Sequence, residues 1–143
     1  MRSSVLLDTG PIIAILDRDE KWHHACLAIA KSLPAPLLTS EAVLTEVFHF
    51  VGDRADQIDT AWQFLRSGVI AVAPIGEEAW PELHALMLKY ADRPMDYADA
   101  TLVYLAEKES INTVFTIDFS DFQTYRIGGN RKFRIVPGTD APK

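Results

Sequence analysis

Residues 3–16 read SSVLLDTGPIIAIL, and the order of residue types in this stretch decides the fold class. An apolar run ends on Asp8, the pair Gly10-Pro11 turns the chain, and a second apolar run follows. Proline suits a first helical position, because its missing N–H would have gone unpaired there. A buried strand over Ser3–Asp8 leading into a helix over Ile12–Leu16 is the prediction. The alternation continues downstream. Helices are predicted over about Trp22–Leu33, Glu41–Val51, Ala55–Arg66, Gly76–Tyr90 and Tyr97–Glu109. Strands are predicted over Pro36–Thr39, Val69–Ala73, Thr113–Ile117 and Phe133–Val136. Within Gly76–Tyr90, Trp80, Leu83, Met87 and Tyr90 recur at spacings of three and four and form one stripe. Strands separated by helices need crossover connections and a mostly parallel sheet. The predicted class is α/β.

Working outward, 143 residues fit one domain, expected to span 1–143 with its core over about 4–137. The lone cysteine, Cys26, cannot form an internal disulfide, which suits a reducing cytoplasm. The N-terminus carries one basic residue, Arg2, and an apolar stretch broken by Asp8, Gly10 and Pro11, a poor signal peptide and too short to span a bilayer. No membrane association is expected. Fourteen Lys and Arg against twenty Asp and Glu give a net charge of −6, which disfavours coating nucleic acid by bulk charge. An enzyme that gathers carboxylates in one pocket remains open.

Acid placement is more telling than acid number. Asp8 and Asp118 each follow a predicted strand, and in a parallel sheet such ends share one edge, where ligand crevices form. Each alone could instead cap the element after it. Glu46 lies in EAVLTEVFHFV amid Ala42, Val43, Val47 and Phe50, on the helix side that packs inward. An unpaired ionised acid there needs a cation or a strong donor. Asp96 and Asp99, three apart in PMDYADATLVYLAE, could form a capping pair. Asp99 lies beside the apolar stripe of Leu102 and Ala106, so Asp99 is expected to face the sheet and Asp96 to cap. Asp121, three after Asp118 in TIDFSDF, is read as a local cap or supporting acid.

Should Asp8, Glu46, Asp99 and Asp118 converge, each like pair at 4 Å would repel by roughly 4 kcal/mol at an effective dielectric near 20. Four such groups stay together only with bound protons or a bound cation. Oxygen ligands without a thiolate or histidine partner select Mg²⁺ or Mn²⁺. Such a site suits phosphodiester hydrolysis, because the ion activates water and steadies the leaving oxygen.

Asp8-Thr9-Gly10, Thr45-Glu46-Val47, Met95-Asp96-Tyr97-Ala98-Asp99-Ala100 and Thr116-Ile117-Asp118-Phe119-Ser120-Asp121-Phe122, in this order, resemble the motifs of the PIN-domain nucleases. Within them the chain is most similar to VapC-type toxins of toxin–antitoxin pairs, over about residues 4–125. The resemblance implies a PIN-like three-layer fold and a Mg²⁺- or Mn²⁺-dependent endoribonuclease. Asp8, Glu46, Asp99 and Asp118 would be its catalytic, metal-binding acids. Thr9 and Thr116 match positions whose hydroxyls orient the acids or the metal-bound water. It also implies 5′-phosphate and 3′-hydroxyl products and a small antitoxin of VapB type. Residues 22–33 and 41–66 are candidate surfaces for that partner or for a homodimer. A PIN-like RNA-processing nuclease without an antitoxin, and a non-catalytic RNA- or protein-binding module, are the alternatives.

Other signals point elsewhere or nowhere. Asp8-Thr9-Gly10 also spells the aspartic-protease tripeptide, but those enzymes are all-β and this chain is helix-rich. A phosphoryl-accepting Asp8 would want a second acid within two residues, and Leu6 and Ile12 occupy its neighbourhood instead. His23 and His24 diverge by roughly 100° on a helix and cannot share a metal. Arg126, Arg131, Lys132 and Arg134, with the turn Gly128-Gly129-Asn130, form a basic cluster that could hold an RNA backbone beside the acids. An ordinary solvated hairpin is the plainer reading of that cluster.

Overall fold

The computed structural model describes residues 2–138. The chain opens with strand β1 (Leu6–Leu7), and Asp8 leads into α1 (Thr9–Leu16). Helix α2 (His23–Ser32) follows, then β2 (Leu37–Ser40), α3 (Glu41–Val51), α4 (Ala55–Leu65) and β3 (Ile70–Ala73). A 3₁₀ turn (Glu77–Ala79) precedes α5 (Trp80–Lys89), and α6 (Tyr97–Lys108) leads to β4 (Thr113–Phe115). The chain ends in α7 (Phe119–Thr124), a hairpin of β5 (Arg126–Ile127) and β6 (Arg131–Lys132), and β7 (Arg134–Val136).

Five strands form one parallel sheet in the order β3-β2-β1-β4-β7, flanked by helices. The first three strands build the sheet outward in one direction from β1, whereas β4 and β7 extend it in the other. The β1–β4 seam is therefore the point where the winding reverses, and a crevice opens there beyond the carboxyl ends. Leu7 pairs in register with Phe115, which sets the residues after both strands side by side. The Asp8 N–H donates to the Phe115 carbonyl at 3.0 Å and fixes that alignment.

Leu6, Leu7, Leu37, Val114 and Phe115 are fully buried, as a strand covered on both faces requires. Helix α6 is buried from Ala100 through Ala106, which explains its near-continuous apolar sequence. The strands are shorter than predicted: Ser3 to Val5 lie outside β1, and Thr116 and Ile117 lie beyond β4. Helix α7 adds a six-residue element that no period in the sequence signals. Trp80 departs from its predicted stripe and is 58% exposed, whereas Leu83 and Tyr90 are buried. The Gly76–Tyr90 segment opens as a 3₁₀ turn over Glu77–Ala79, and Trp80 is the first residue of α5, at the end of the helix.

Candidate active site

Four elements bring their acids to the crevice. Asp8 follows β1 and Asp118 follows β4 at the reversal seam, Glu46 projects from α3, and Asp99 from the first turn of α6. Asp8 is buried and makes no side-chain capping bond to α1. Its carboxylate Oδ2 instead accepts the Thr116 hydroxyl at 2.7 Å. Thr116 Oγ1 in turn accepts the Asp118 N–H at 2.9 Å, so one threonine ties both acids together. Thr9 Oγ1 donates to Glu46 Oε1 at 2.8 Å, linking α1 to α3.

Asp96 is the N-cap of α6, its Oδ1 accepting the Asp99 N–H at 2.8 Å. Asp99 is freed from that duty and receives the Tyr125 hydroxyl on Oδ2 at 2.8 Å. Asp118 caps α7, accepting the Asp121 N–H at 3.3 Å, and faces the crevice as well. Asp121 pairs with Arg93 at 3.0 Å. Arg93 also donates to Ser120 at 3.1 Å. Glu46 is half-buried at the margin of its helix stripe, because Val43 and Val47 face the core while Phe50 is 45% exposed.

The electrostatics record the crowding. Burial pushes Asp8 up to about 6, and the carboxylates of Asp118 and Glu46 add to it, against the Thr116 bond. Asp99 rises to about 8, first through burial and then through Asp8 and Asp96, with the Tyr125 bond opposing. Burial also raises Asp118 to about 6, with Asp121 adding and Arg93 opposing. Glu46 is raised by burial, with Asp96 adding and Thr9 opposing. Acids from four elements therefore feel one another through space.

Each of the four gives one oxygen to an internal donor, and a carboxylate has about four acceptor sites in all. The donors are oxygens only, so the set fits a hard divalent cation. Among the described residues no three His, Cys, Asp or Glu side chains already close on ion-binding distance of one point. The carboxylates are coupled while standing apart, the arrangement like charges adopt in a polar crevice.

The basic cluster is not gathered at this edge. Arg126 Nη1 donates to the carbonyls of Gln123, Thr124 and Tyr125 and so closes the end of α7. Arg131 and Lys132 lie on the hairpin, and the guanidinium of Arg131 and the carboxylate of Glu107 both border Gly128. Glu107 lies near the far end of α6 from Asp99. Arg134 pairs in register with Thr113, at the end of β4 opposite Asp118. Charge counting located basic residues but could not see that the parallel register of β7 carries Arg134 away. Conversely, no motif or spacing signals Tyr125 or Arg93, which reach Asp99 and Asp121 only through tertiary packing.

Residues 5–126 match the PIN domain family. The chain belongs to the PIN-domain family. This PIN domain is 27% identical over 136 residues to "Ribonuclease VapC26" of Mycobacterium tuberculosis, covering 93% of this chain and all of that protein. Its fold is shared with VapC20 of M. tuberculosis, a toxin described as cleaving the sarcin–ricin loop, with a TM-score of 0.72 and 22% identity over 82% of this chain and 94% of that one. A VapBC2 structure from Rickettsia felis, bound to a DNA fragment from its promoter, superposes with a TM-score of 0.65 at 15% identity, covering 92% of this chain and 97% of the other. The chain is thus a distant homologue of the VapC ribonuclease toxins, on a five-stranded PIN fold. No helix among the described residues is long and apolar enough to cross a membrane.

Proposed function

We propose that this PIN domain is a Mg²⁺- or Mn²⁺-dependent endoribonuclease acting as the toxin of a toxin–antitoxin pair. The observation that carries the reading is the meeting of Asp8, Glu46, Asp99 and Asp118 at the β1–β4 reversal, each with its carboxyl raised by burial. Asp8, Asp99 and Asp118 would hold the cation, with Glu46 as a further ligand or as the group that holds the attacking water. The bound cation supplies a lowered water pKa and charge stabilisation at the phosphorus and the leaving oxygen.

The chain's own residues do the rest. Thr116 fixes the rotation of Asp8 and the backbone of Asp118 at once, so the two acids keep one geometry. Tyr125 orients Asp99, and its hydroxyl stays protonated because burial and the neighbouring carboxylate raise it. Glu46, exposed on one side and raised, can take a proton from water and release it to solvent. Arg93 lies where a phosphate bordering the acids would meet a positive charge.

The antitoxin part of the reading is supported by the VapBC2 likeness and by an apolar groove of about 360 Å³ between α1, α2 and α4. Ile15, Leu27, Ala30 and Phe64 line it, a surface suited to the apolar face of a partner helix.

Cleavage of total RNA with Mn²⁺, with chelator, and with Asp8→Asn, Asp99→Asn and Asp96→Asn variants tests the reading. Asp8→Asn and Asp99→Asn should lose at least about 100-fold, the scale of a lost catalytic group. Asp96→Asn should retain most activity. Cleavage that persists in chelator, or in Asp8→Asn, would contradict metal-dependent hydrolysis at this crevice. No cleavage by wild type under any divalent ion would leave a non-catalytic binding module.

A further inference from the structure

Glu46 and Asp96 also line a cavity of about 580 Å³ beside the crevice. Its size is that of small-molecule sites, roughly 300–1,000 Å³. Ala73, the last residue of the edge strand β3, and Ile75 beyond it contribute apolar lining, and Tyr97 contributes an aromatic wall that is 47% exposed. Glu41, in the first turn of α3, brings a third carboxylate to the lining. Among the described residues no Lys or Arg lines the cavity.

This chemistry excludes a phosphate and selects a flat, neutral ligand that offers donors. The three serine and threonine hydroxyls of the lining are already engaged: Ser40 and Thr101 bond each other at 2.8 Å, and Thr45 donates to the Glu41 carbonyl at 2.9 Å. Of the three carboxylates, Glu46 already holds the Thr9 hydroxyl and Asp96 the Asp99 N–H, whereas no hydrogen bond among the described residues engages the Glu41 carboxylate, so readout falls to Glu41 and stacking to Tyr97. Single-stranded RNA is read in this way, by aromatic stacking and by hydrogen bonds to the Watson–Crick edge. A carboxylate presents two acceptors side by side. Guanine alone offers two adjacent donors on that edge, N1–H and the N2 amino group. Adenine and cytosine pair one donor with an acceptor, and uracil flanks its N3–H with two carbonyls.

We infer that this cavity is a guanine subsite for the nucleotide next to the cleaved bond, with Tyr97 as its stacking platform and Glu41 as its reader. The inference rests on the nuclease reading, whose crevice it adjoins.

Guanosine, adenosine, cytidine and uridine, titrated separately into the metal-free protein and followed by amide chemical shifts, test the subsite without catalysis. Guanosine should shift Ala42, Thr45, Tyr97 and Ile75 and bind at least about tenfold more tightly than the others, the scale of one bidentate base contact. Glu41→Gln, which replaces one acceptor by a donor, should erase that preference, and Tyr97→Ala should weaken all four nucleosides. Equal binding of the four, or no shifts in the cavity, would overturn the subsite. Sequencing of Mn²⁺-dependent cut sites in a random RNA pool gives the second arm, with guanine next to the cut expected in wild type and lost in Glu41→Gln. A protein that cuts nothing yet binds guanosine selectively keeps the subsite and loses the nuclease reading. Should Tyr97→Arg halve the solution mass and guanosine shift nothing, the cavity would be a contact between copies of this chain.

Discussion

At the residue scale, Asp8 and Asp99 make the stability of the metal-free protein depend on pH in an unusual direction. Their folded values, about 6 and about 8, lie above the ordinary carboxylate value of 3.8. Between those limits the folded state holds more protons than the unfolded chain, so stability falls as pH rises. The metal-free protein should therefore melt higher at pH 5 than at pH 8. For the buried Asp8 the displacement corresponds to about 2–3 kcal/mol. Asp8→Asn removes the charge but keeps an acceptor for Thr116, so it should raise the melting temperature at pH 8 by several degrees. Thermal melts of wild type and Asp8→Asn at both pH values check this; a lower melting temperature for the variant at pH 8 would make Asp8 a structural residue. Tyr125→Phe is a positioning test. Losing the hydroxyl that favours ionised Asp99 should cut activity about 10- to 100-fold. It should also move the acidic limb of the pH–rate profile upward, a displacement that a simple packing defect would not produce. The contrasting residue is Asp96, whose cap on α6 is worth about 1 kcal/mol. Asp96→Ala should lower stability by that amount, read by urea denaturation, because its capping role is local.

At the scale of elements, the site depends on how closely α1 approaches the end of β4. A Cβ on Gly10 would come within 2.6 Å of Ile117 Cγ1, the residue immediately before Asp118. Gly10→Ala gains up to about 1 kcal/mol of helix propensity in α1. Overpacking costs roughly 1–3 kcal/mol, so stability should drop only slightly. Relief of the clash pushes on Ile117 and with it Asp118, so activity should fall more than stability does. Parallel measurement of cleavage rate and urea midpoint separates the two effects, and equal loss in both would mean that the approach matters only for packing. The element pattern itself was legible in the sequence, because apolar runs ending on acids and helical stripes survive any tertiary detail. The Ser40 and Asp96 caps sit where their residue types and spacing place them. What escaped was short or cooperative. Helix α7 has six residues, too few to show a period, and Asp118 both caps it and faces the crevice, so neither reading of that acid excluded the other. Strand β1 retains two ladder residues, Leu6 and Leu7, because only these two stand in register with β2 or β4, which composition cannot reveal. The Tyr125–Asp99 and Arg93–Asp121 contacts join residues 26 and 28 positions apart through the packing of α7 against the site.

For the whole molecule, a net charge of −6 means that any cation raises stability somewhat by screening, so specific and general effects must be separated. A divalent ion bound by the crevice stabilises the folded state by about 2.7 kcal/mol at a hundredfold excess over its dissociation constant. The gain must itself depend on pH. At pH 5 protons occupy Asp8, Asp99 and Asp118 in the folded protein, and the ion has to displace them. At pH 8 Asp8 and Asp118 are ionised, Asp99 is at its midpoint, and repulsion among them is the larger cost that the ion relieves. Mn²⁺ should therefore raise the melting temperature by several degrees at pH 8 and by much less at pH 5, flattening the pH dependence of stability. In the Asp8→Asn, Asp118→Asn double variant the gain should vanish at both values. Differential scanning fluorimetry with Mn²⁺, and with KCl at matched ionic strength, provides the comparison. An equal Mn²⁺ shift at the two pH values, or one that survives in the double variant, would assign the effect to the overall charge and not to the four acids at the sheet's edge.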